Sequence, residues 1–419
     1  MKKVLVIGSG GREHAILATL AKSSQIERLY AAPGNGGIGQ IAQCVPIKAT
    51  AIPEIVAFAQ REGIDFVMVA PDDPLAMGMV DALAAAGIAA FGPTKAAAIL
   101  ESSKAFSKGL MENYNIPTAS YRVFDGDVEA AIRYIEEEGA PIVVKCDGLA
   151  LGKGVVVAQT VPEAVKAVRS MMEEGQFGAS GAKVVIEACM TGPEVTVLAF
   201  VDGKTIRPMP AAQDHKRVFD RDQGPNTGGM GAFCPSPKYT PELAEQCMET
   251  IFRPTIEAMA KEGRPFKGVI YFGLMLTPEG PKVIEYNARF GDPETQAILA
   301  LLETDLLEIF EAVVEARLAE QEIRWRADAA CCVVLASGGY PGAYETGKVI
   351  TGLDQVPSDV TVYHAGTKAS DSGYVTAGGR VLGVTAKAPT LEAAIARAYE
   401  ATEQLHFDGA HYRTDIGKK

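Results

Sequence analysis

The sequence opens with an apolar run at residues 2–7, followed directly by a glycine-rich turn and a helical pattern over residues 14–22. A short turn from a buried strand into a helix is the repeating unit of parallel α/β domains. The alternation continues through strand-like runs at residues 29–32, 66–70 and 89–91. We therefore predict a small parallel α/β domain over residues 1–101, with its ligand at the carboxyl ends of the strands.

The first glycine turn, Gly8-Ser9-Gly10-Gly11-Arg12-Glu13, favours a phosphate site, because the helix after such a turn presents free backbone N–H groups to an anion. It does not match a dinucleotide-binding fingerprint. Glu13 stands where the third glycine is required, and no acidic residue ends the next strand. Two interpretations stay open on this motif alone: a substrate phosphate site, or a turn needed only for close strand–helix packing. Later loops at strand ends carry Asn35, Pro71 and Asp72.

A glycine-rich hairpin flanked by lysines is predicted in the middle of the chain. Residues 141–147 form a strand pattern with Lys145 and Asp147 on one face, and a turn over residues 148–154 leads into a second strand. The turn is not a Walker A loop, because its glycine spacing is one residue short and a strand rather than a helix follows. It is typical of a flap that closes over phosphates. A flexible surface hairpin would explain the glycines but not Lys145 and Lys153 beside them.

A second predicted hairpin joins residues 268–276 to residues 282–287. Glu285 and Asn287 lie two positions apart near its end, so both side chains point to one face of the strand. A carboxylate and an amide oxygen on one face suit Mg²⁺, which takes oxygen ligands and shares them with nucleotide phosphates. A Glu-x-Asn pair alone also fits an ordinary buried strand, but here Arg289 and a polar turn follow it. Together these features favour a metal–phosphate site.

Two further stretches are predicted to line a ligand site. Residues 183–189 form a strand whose exposed edge would be available to an adenine ring. Residues 213–217 and 224–231 form a long polar loop, and such loops inside compact domains are usually functional or disordered. From residue 329 strand patterns resume and end in a helix over residues 390–405, which indicates a separate antiparallel unit.

Length and composition exclude several classes of protein. A chain of 419 residues is too long for one core, and 47% hydrophobic with 22% charged residues is typical of a soluble globular protein. The net charge of −12 argues against non-specific nucleic-acid binding. The apolar start ends at Gly8, too early for a signal peptide, and no apolar run approaches the ~20 residues of a membrane span. The 7 cysteines contain no C-x-x-C pair and are predicted to be reduced thiols of a cytoplasmic protein.

Five motifs together resemble one family. They are Gly8 to His14, Lys145 to Gly154, Gln213 to Arg217, Gly224 to Gly231, and Arg289 to Glu294. In order and spacing they closely resemble the phosphoribosylamine–glycine ligase family of ATP-grasp enzymes, also called glycinamide ribonucleotide synthetases. The resemblance covers essentially the whole chain, and the last two motifs are the most specific. It implies a multidomain α/β and α+β protein with an N-terminal parallel α/β domain (1–101), an ATP-grasp domain (102–327, with a mobile lid at about 120–190) and a C-terminal antiparallel β-rich domain (328–419).

The resemblance also implies an activity and its residues. ATP, glycine and 5-phosphoribosylamine would yield glycinamide ribonucleotide, ADP and phosphate through glycyl phosphate, a step of purine biosynthesis, with Mg²⁺ or Mn²⁺ on Glu285 and Asn287. The implied catalytic residues are Arg289, Lys145 and Asp214. The implied nucleotide-binding residues are Lys104, Lys145, Asp147, Gly152, Lys153, Gly154, Glu187, Ala188, Cys189, Met190 and Glu194. The implied substrate-binding residues are Gly8, Gly10, Gly11, Arg12, Glu13, Asn35, Pro71, Asp72, Asp214, Lys216, Asn226, Thr227, Gly228, Arg289 and Asp292. No nucleic-acid or membrane partner is implied, and the expected assembly is a monomer or weak homodimer.

The chain departs from the family pattern at one loop, where Asp72 replaces the usual glutamate and shortens the acidic side chain. The strand at residues 269–276 contains no acidic residue, so no third protein ligand to the metal is predicted. Two rival functions remain: an ATP-grasp carboxylase acting on a purine intermediate, and a nucleotide- or phosphoribose-binding regulator with an inactive site. Retention of the charged set around Lys104, Lys145 and Arg289 argues against the regulator.

Overall fold

The computed structural model describes residues 1–149, 154–174, 181–371 and 373–418. Two of the predicted nucleotide-binding residues, Gly152 and Lys153, lie outside the described residues. Within the described part of the chain, no helix is both long enough and apolar enough to cross a membrane. All seven cysteines are free thiols, as predicted.

The N-terminal part is a five-stranded parallel sheet with the order β3-β2-β1-β4-β5. Its strands are β1 (Lys2–Gly8), β2 (Ile26–Pro33), β3 (Gln43–Cys44), β4 (Phe66–Val69) and β5 (Ala89–Phe91). Its helices are α1 (Gly11–Leu20), α2 (Ile52–Glu62), α3 (Asp72–Met77), α4 (Met79–Ala85) and α5 (Lys95–Ser102). The runs in β1 and β4 are apolar without alternation because helices cover both faces of a parallel sheet. The predicted parallel α/β domain is confirmed.

The next segment forms an antiparallel sheet with the order β6-β9-β7-β8. We call it the lid sheet, because it lies within the predicted lid at about 120–190. After α6 (Lys104–Asn113) come β6 (Tyr121–Asp125), α7 (Val128–Glu138), β7 (Ile142–Cys146), β8 (Val155–Ala158), α8 (Val161–Met172) and β9 (Lys183–Ala188). Ser103 begins α6 by accepting the N–H of Phe106 on its hydroxyl. The element after the glycine turn is a strand, which confirms that this turn is not a Walker A loop.

The central sheet has the order β11-β10-β16-β17 and is antiparallel. Its strands are β10 (Glu194–Asp202), β11 (Ile206–Pro208), β16 (Lys267–Thr277) and β17 (Gly280–Asn287), and its helices are α9 (Pro241–Cys247), α10 (Arg253–Lys261), α11 (Glu294–Leu299) and α12 (Leu306–Val314). A π-helical turn, Met248–Phe252, joins α9 to α10, so the chain is helical without a break from α9 to the end of α10. The predicted β16–β17 hairpin is confirmed.

The polar stretch after β11 is not an extended loop. It forms the short strands β12 (Gln213–Asp214), β13 (Arg217–Phe219), β14 (Gln223–Asn226) and β15 (Gly231–Cys234). The pair β13–β14 is an isolated hairpin, whereas β12 and β15 join a sheet with the order β12-β15-β18-β23-β20. The prediction of a long polar loop is therefore wrong for these strands, because β13 pairs with β14, β12 pairs with β15, and β15 pairs with β18, far along the chain.

The C-terminal segment supplies the remaining strands. They are β18 (Ala329–Ala336), β19 (Val349–Ile350), β20 (Thr361–His364), β21 (Thr367–Ser370), β22 (Gly373–Thr376) and β23 (Arg380–Ala388), followed by α13 (Leu391–Thr402). The strands β19, β22 and β21 form a small separate sheet. All pairings of this segment are antiparallel, as predicted.

One apolar core joins the N-terminal and central sheets. The ring of Phe310 on α12 lies 4.1 Å from that of Phe91 and 6.2 Å from that of Phe290, measured between centroids. Phe290 directly follows Arg289, so this core fixes the backbone at the exit of β17. The N-terminal sheet and the end of β17, which both carry predicted site residues, thus share one apolar core.

A buried histidine pair joins α1 to the C-terminal segment. His14 Nδ1 accepts the backbone N–H of His364 at 2.9 Å, and His364 Nδ1 lies 3.0 Å from the Thr367 hydroxyl. Burial, and then the neighbouring His364, lower the pKa of His14 to about 3, while burial lowers the pKa of His364 to about 4. Both rings are therefore neutral in the folded protein at pH 7.

We predict that acid weakens this junction. Both folded-state pKa values lie below the unfolded value of about 6.5. The contribution of the two neutral histidines to the free energy of unfolding is therefore complete above pH 6.5 and is lost as the pH falls towards 4. Each histidine should lower the free energy of unfolding by about 1.4 kcal/mol per pH unit in that window. Urea unfolding between pH 4.5 and 7.5 measures the slope, which should become shallower in His14→Asn. His406→Asn, at an exposed position, is the control, and equal slopes in all three proteins would contradict the prediction.

Candidate active site

The main cavity has a volume of about 960 Å³ and lies where the N-terminal domain, the lid sheet, the β16–β17 hairpin and residues 213–228 meet. A volume of this size suits a nucleotide together with small substrates. Most of the predicted site residues line it: Arg12, Asp72, Lys104, Lys145, Gly154, Glu187, Ala188, Cys189, Met190, Glu194, Asp214, Lys216, Asn226, Thr227, Gly228, Glu285, Asn287, Arg289 and Asp292. The structure therefore brings together predicted residues from the first two predicted domains, and the C-terminal segment adds Tyr340 and Arg380 to the lining.

A β-bulge shapes the end of the β16–β17 hairpin. Val283 pairs with Leu274 and Glu285 pairs with Gly273, so Ile284 has no partner of its own in the ladder. The carbonyl oxygen of Ile284 instead accepts a hydrogen bond of 3.0 Å from Lys145 Nζ. The bulge thereby ties the lid lysine to the strand that carries Glu285.

The chemistry of the Glu285 and Asn287 pair fits a hard divalent cation. Burial disfavours the Glu285 anion, but Lys216, Lys145 and Lys104 outweigh it and lower the pKa of the carboxyl group. Among the described residues, no three His, Cys, Asp or Glu side chains converge as a complete metal cage. Two oxygen donors on one cavity wall therefore suit a cation that completes its shell with phosphate oxygens and water.

Two lysines share one buried glutamate in the lid. Glu187 lies 2.9 Å from Lys108 Nζ through one carboxylate oxygen and 2.9 Å from Lys145 Nζ through the other, and all three side chains are at most 5% exposed. Burial lowers the pKa of Lys108 to about 8, although Glu187 acts in the opposite direction. Lys108 was missed in the sequence, where it looks like a surface lysine of α6. The carboxylate places Lys145 at the cavity wall.

The expected exposed edge at residues 183–189 is wrong. Strand β9 lies between β6 and β7, with Glu187 paired to Tyr121 on one side and to Val143 on the other. The backbone of β9 is thus already used in the ladder, because β6, from much earlier in the chain, covers the second edge. Of the four predicted adenine-binding residues, 187–190, only Cys189 and Met190 lie beyond the end of β9, so only their backbone groups are outside the strand pairing.

Arg289 is held by acidic groups of the N-terminal domain. Its Nη2 lies 2.9 Å from Glu101 Oε1 and 3.9 Å from Asp72 Oδ2, and its guanidinium also contacts Asn287 Oδ1 at 3.4 Å. The second oxygen of Glu101 accepts the backbone N–H of Ala288 at 2.7 Å. Burial raises the pKa of Glu101 to about 7, against the effect of Arg289. Glu101 was not identified from the sequence, where it lies in an ordinary helix with no motif around it.

Lys216 lies at the centre of a group of carboxylates. Its Nζ is 3.5 Å from Glu194, 3.9 Å from Asp214 and 3.9 Å from Glu285. Burial raises the pKa of Asp214 to about 7, Lys216 opposes this, and the nearby acidic residues add to it. The group therefore combines a fixed cation with a carboxylate of unusually high proton affinity.

The predicted substrate residues after β14 are held by their backbone. Thr227 donates its backbone N–H and its hydroxyl to the carbonyl oxygen of Lys216, at 2.7 and 2.8 Å. The N–H of Gly228 is bonded to the hydroxyl of Tyr340, and its carbonyl oxygen accepts from Arg380 Nη1 at 2.8 Å. Arg380 comes from the C-terminal segment and no local motif marks it, so it was missed.

The first glycine turn is organised by carboxylates. Glu13 accepts the N–H of Gly10 at 2.6 Å and the Nε–H of Arg12 at 2.7 Å, while Asp292 accepts the N–H of Arg12 at 3.3 Å. A Cβ at Gly8 would lie 2.5 Å from the Glu13 side chain, so Gly8 makes room for this arrangement. The expectation that the turn leaves its backbone N–H groups free is wrong at Gly10, because Glu13, at the third helical position, caps the helix, and at Arg12, because Asp292 accepts its N–H.

A second cavity of about 440 Å³ lies between this turn and the C-terminal segment, lined in part by Gly10, Asn35, Asp292, Thr367 and Arg380. The amide nitrogen of Asn35 donates to the carbonyl oxygens of Ser9 and His364, both at 2.8 Å, and its oxygen accepts the N–H of Ile38. Asn35 therefore cross-links the two walls of this cavity.

Three predicted residues lie behind the cavity walls. Asp147 accepts the N–H of Ala105 at 3.0 Å and the hydroxyl of Ser103, so it caps α6, which begins at Lys104. A Cβ at Gly11 would lie 2.7 Å from the Gln296 amide nitrogen, which makes Gly11 a close-packing position. Pro71 precedes α3 and orients Asp72, the first residue of that helix.

Comparison with known proteins gives consistent matches along the chain. Three family models match in succession: the phosphoribosylglycinamide synthetase N domain at residues 2–101, its ATP-grasp (A) domain at residues 102–295 and its C domain at residues 330–419. The chain belongs to the phosphoribosylglycinamide synthetase family.

Curated members of the family are similar over their full length. A phosphoribosylamine–glycine ligase of Halalkalibacterium halodurans is 50% identical over 99% of this chain and 96% of its own, and one of Vibrio cholerae is 48% identical over 99% of this chain and 97% of its own. A crystal structure of phosphoribosylamine–glycine ligase from Thermotoga maritima matches with a TM-score of 0.84 and 33% identity, over 99% of this chain and 100% of that one. A biotin carboxylase domain from Hydrogenobacter thermophilus shares the fold at 19% identity, with a TM-score of 0.77 over 98% of this chain and 91% of that one.

Membership of the phosphoribosylglycinamide synthetase family confirms the predicted fold class, with its ATP-grasp centre, and the predicted enzyme class. The chain is an ATP-grasp ligase of purine biosynthesis that acts on small molecules, and its family uses ATP with a divalent metal ion.

Proposed function

We propose that this ligase joins glycine to 5-phosphoribosylamine through a glycyl phosphate intermediate, with ATP converted to ADP and phosphate. The observation that carries the proposal is the meeting of two sets of groups in one cavity. Lys104, Lys145 and the Glu285–Asn287 pair form a side suited to a metal-bound triphosphate, and Arg289 lies next to that pair. Residues of the stretch 214–228 line the same cavity, and Lys216 Nζ lies 3.9 Å from Glu285.

In the first step, a carboxylate oxygen of glycine attacks the γ-phosphorus of ATP, the bond from that phosphorus to ADP breaks, and glycyl phosphate forms. Phosphoryl transfer depends mainly on positioning and charge neutralisation. Lys104 and Lys145 neutralise the nucleotide phosphates, and Arg289 neutralises the glycine carboxylate or the transferring phosphoryl group. A divalent cation held by Glu285 and Asn287 supplies further positive charge at the phosphates.

In the second step, the amine nitrogen of 5-phosphoribosylamine attacks the acyl carbon, the carbon–oxygen bond to phosphate breaks, and the nitrogen loses a proton. Asp214 is suited to accept that proton, because its raised pKa matches neutral pH. Lys216, Asn226 and Thr227 orient the reacting groups from the same wall.

The remaining groups of the substrates are assigned by chemistry. Backbone groups at Cys189 and Met190 face adenine and Glu194 binds the ribose hydroxyls, while the first glycine turn and the second cavity receive the ribose phosphate. The proposal also includes Mg²⁺ or Mn²⁺ as the metal, a monomer or weak homodimer as the assembly, and the cytoplasm as the compartment.

An isotope experiment tests the intermediate. With glycine labelled by ¹⁸O in its carboxylate, one labelled oxygen should appear in the released phosphate, because the attacking oxygen stays on phosphorus when the amine displaces it. Phosphate without label would overturn the glycyl phosphate route. Measuring ADP release with bicarbonate in place of glycine tests the carboxylase alternative, and bicarbonate-dependent turnover would favour it.

We predict that Glu285→Gln raises the metal concentration needed for half-maximal rate by at least about tenfold, because an amide is a weaker ligand than a carboxylate for a hard cation. Titration of Mg²⁺ and Mn²⁺ at saturating ATP measures this. Glu279→Gln is the matched control, since Glu279 lies at the exposed tip of the same hairpin, bonded to Lys282. An unchanged metal dependence in Glu285→Gln would remove Glu285 from the metal site.

A further inference from the structure

The hairpin β13–β14, here called the substrate hairpin (residues 217–226), has a strained tip. Arg221 and Asp222 both have left-handed backbone conformations, with φ of 56° and 54°. Successive left-handed residues form the tight turn that suits a two-strand hairpin, but the positions normally take glycine or asparagine. Non-glycine residues keep such conformations only when their surroundings enforce them.

The enforcing contacts come from the C-terminal segment of residues 411–417, here called the C-terminal latch. Arg413, whose side chain is 0% exposed, donates to Asp222 at 3.0 Å and to Asp415 at 2.7 and 2.8 Å. Asp415 in turn accepts the backbone N–H of Arg221 at 2.8 Å. The two strained residues are thus held by an ion-pair network that is centred on the buried Arg413, outside the hairpin.

Further contacts extend this hold over the whole hairpin. Thr414 donates its N–H to Asp220 at 2.8 Å, and the His411 ring nitrogen lies 2.8 Å from the carbonyl oxygen of Val218. The latch itself is anchored to α13, because the hydroxyl of Tyr399 donates to the carbonyl oxygen of Arg413 and accepts the N–H of Ile416.

The base of the substrate hairpin forms one wall of the main cavity. Thr227, just after β14, is bonded twice to Lys216, just before β13. Lys216 therefore leads into one strand of the hairpin, and Asn226 and Thr227 lie at the end of the other. Any change in the pairing of the strands moves these groups relative to one another.

We propose that the C-terminal latch is a positioning element for the acceptor side of the active site: Arg413 and Asp415 hold the substrate hairpin in the one register that aligns Lys216 with Thr227. The latch touches none of the nucleotide-side residues Lys104, Lys145 or Glu285 in the hydrogen bonds above. We therefore expect it to act more strongly on the binding of the acceptor substrates than on that of ATP, although Lys216 also lies 3.5 Å from Glu194 and 3.9 Å from Glu285 on the nucleotide side. This inference rests on the proposed function only in assigning glycine and the amine to the hairpin base.

The test uses Asp415→Asn in the full chain. An asparagine cannot accept both from Arg413 and from the Arg221 N–H with the same strength, so we expect KM for 5-phosphoribosylamine or glycine to rise about tenfold, with KM for ATP changed less than about twofold. Hydrogen exchange of the amides in residues 217–226 should be faster. Asp408→Asn, at an exposed position at the start of the same tail, is the control.

Position 221 offers a rescue and a second challenge, because the Arg221 side chain is exposed and only its backbone meets the latch. Arg221→Gly adopts the left-handed conformation without strain, and it should restore KM and exchange rates in the Asp415→Asn background. Arg221→Val with an intact latch should reproduce the defect, which keeps the test valid if Asp415→Asn fails to fold. An equal rise of KM for ATP, or no rescue by glycine, would overturn the proposal. Exchange rates report on the latch even if the wild-type protein shows no glycine-dependent turnover, so a failure of the proposed function is recognised separately.

Discussion

Replacing Arg289 with alanine should lower turnover about 10²- to 10³-fold, the usual effect of removing one preorganised group that stabilises a developing charge. The guanidinium lies beside Asn287 and is held in position by two carboxylates of the N-terminal domain, Glu101 and Asp72. Its position just after β17 places it next to the proposed metal ligands, Glu285 and Asn287. Steady-state ADP release with glycine and 5-phosphoribosylamine measures the loss.

The stability of this variant needs its own control. Removal of Arg289 leaves Glu101 buried without its cation, and Glu101 then takes up a proton at neutral pH, which we expect to cost roughly 1–3 kcal/mol. The double variant Arg289→Ala with Glu101→Gln should recover this stability without recovering activity. Arg317→Ala, at an exposed salt bridge with Glu315, is the matched control for both readouts. Near-normal turnover in Arg289→Ala would remove this residue from the mechanism.

The second large effect is expected at the buried lid triad. Glu187→Gln removes the one negative charge between Lys108 and Lys145, so two ammonium groups remain in a nearly inaccessible site. Breaking a buried ion pair in this way typically costs about 3–5 kcal/mol. Because Lys145 also loses the group that orients it, KM for ATP should rise at least about tenfold.

A second substitution separates the effect of the unpaired buried charge on stability from the effect of a misplaced Lys145 on ATP binding. Lys108→Met in the Glu187→Gln background removes one unpaired charge, so it should restore part of the free energy of unfolding while KM for ATP stays high. Urea unfolding and ATP-dependent initial rates measure the two quantities. Glu173→Gln, on the exposed end of α8 in the same lid, is the control. An unchanged free energy of unfolding in Glu187→Gln would show that Glu187 is not needed to compensate the buried charges of Lys108 and Lys145.

The local patterns of the sequence predicted the strands and the placement of Glu285 and Asn287 on one cavity wall. The alternation of helices and strands at residues 1–101 predicted the parallel sheet, and the two-residue spacing of Glu285 and Asn287 placed both at the cavity. These features depend on short-range geometry, which a single sequence contains. The family resemblance supplied the specific motifs around Asn226 and Arg289.

What the sequence could not predict depends on partners far apart in the chain. Strand β9 looked like a free edge because the strand that pairs with it, β6, lies about 60 residues earlier in the chain, and no local pattern links the two. Glu101, Lys108 and Arg380 have no motif of their own, and their importance comes only from contacts with Arg289, Glu187 and Gly228. The first glycine turn looked open to phosphate at Arg12, because the carboxylate that accepts the Arg12 N–H belongs to Asp292 in a distant loop.

The shared sheet β12-β15-β18-β23-β20 has a practical consequence for protein engineering. Strand β15 pairs along Gly231–Cys234 with β18, so a fragment that ends before residue 329 would expose a row of unpaired backbone groups on the strand next to Asp214, the proposed base. Chimeras that exchange the last segment between homologous enzymes should therefore also carry over residues 213–214 and 231–234. In this fold the natural unit of exchange is a sheet and not a contiguous stretch of the gene.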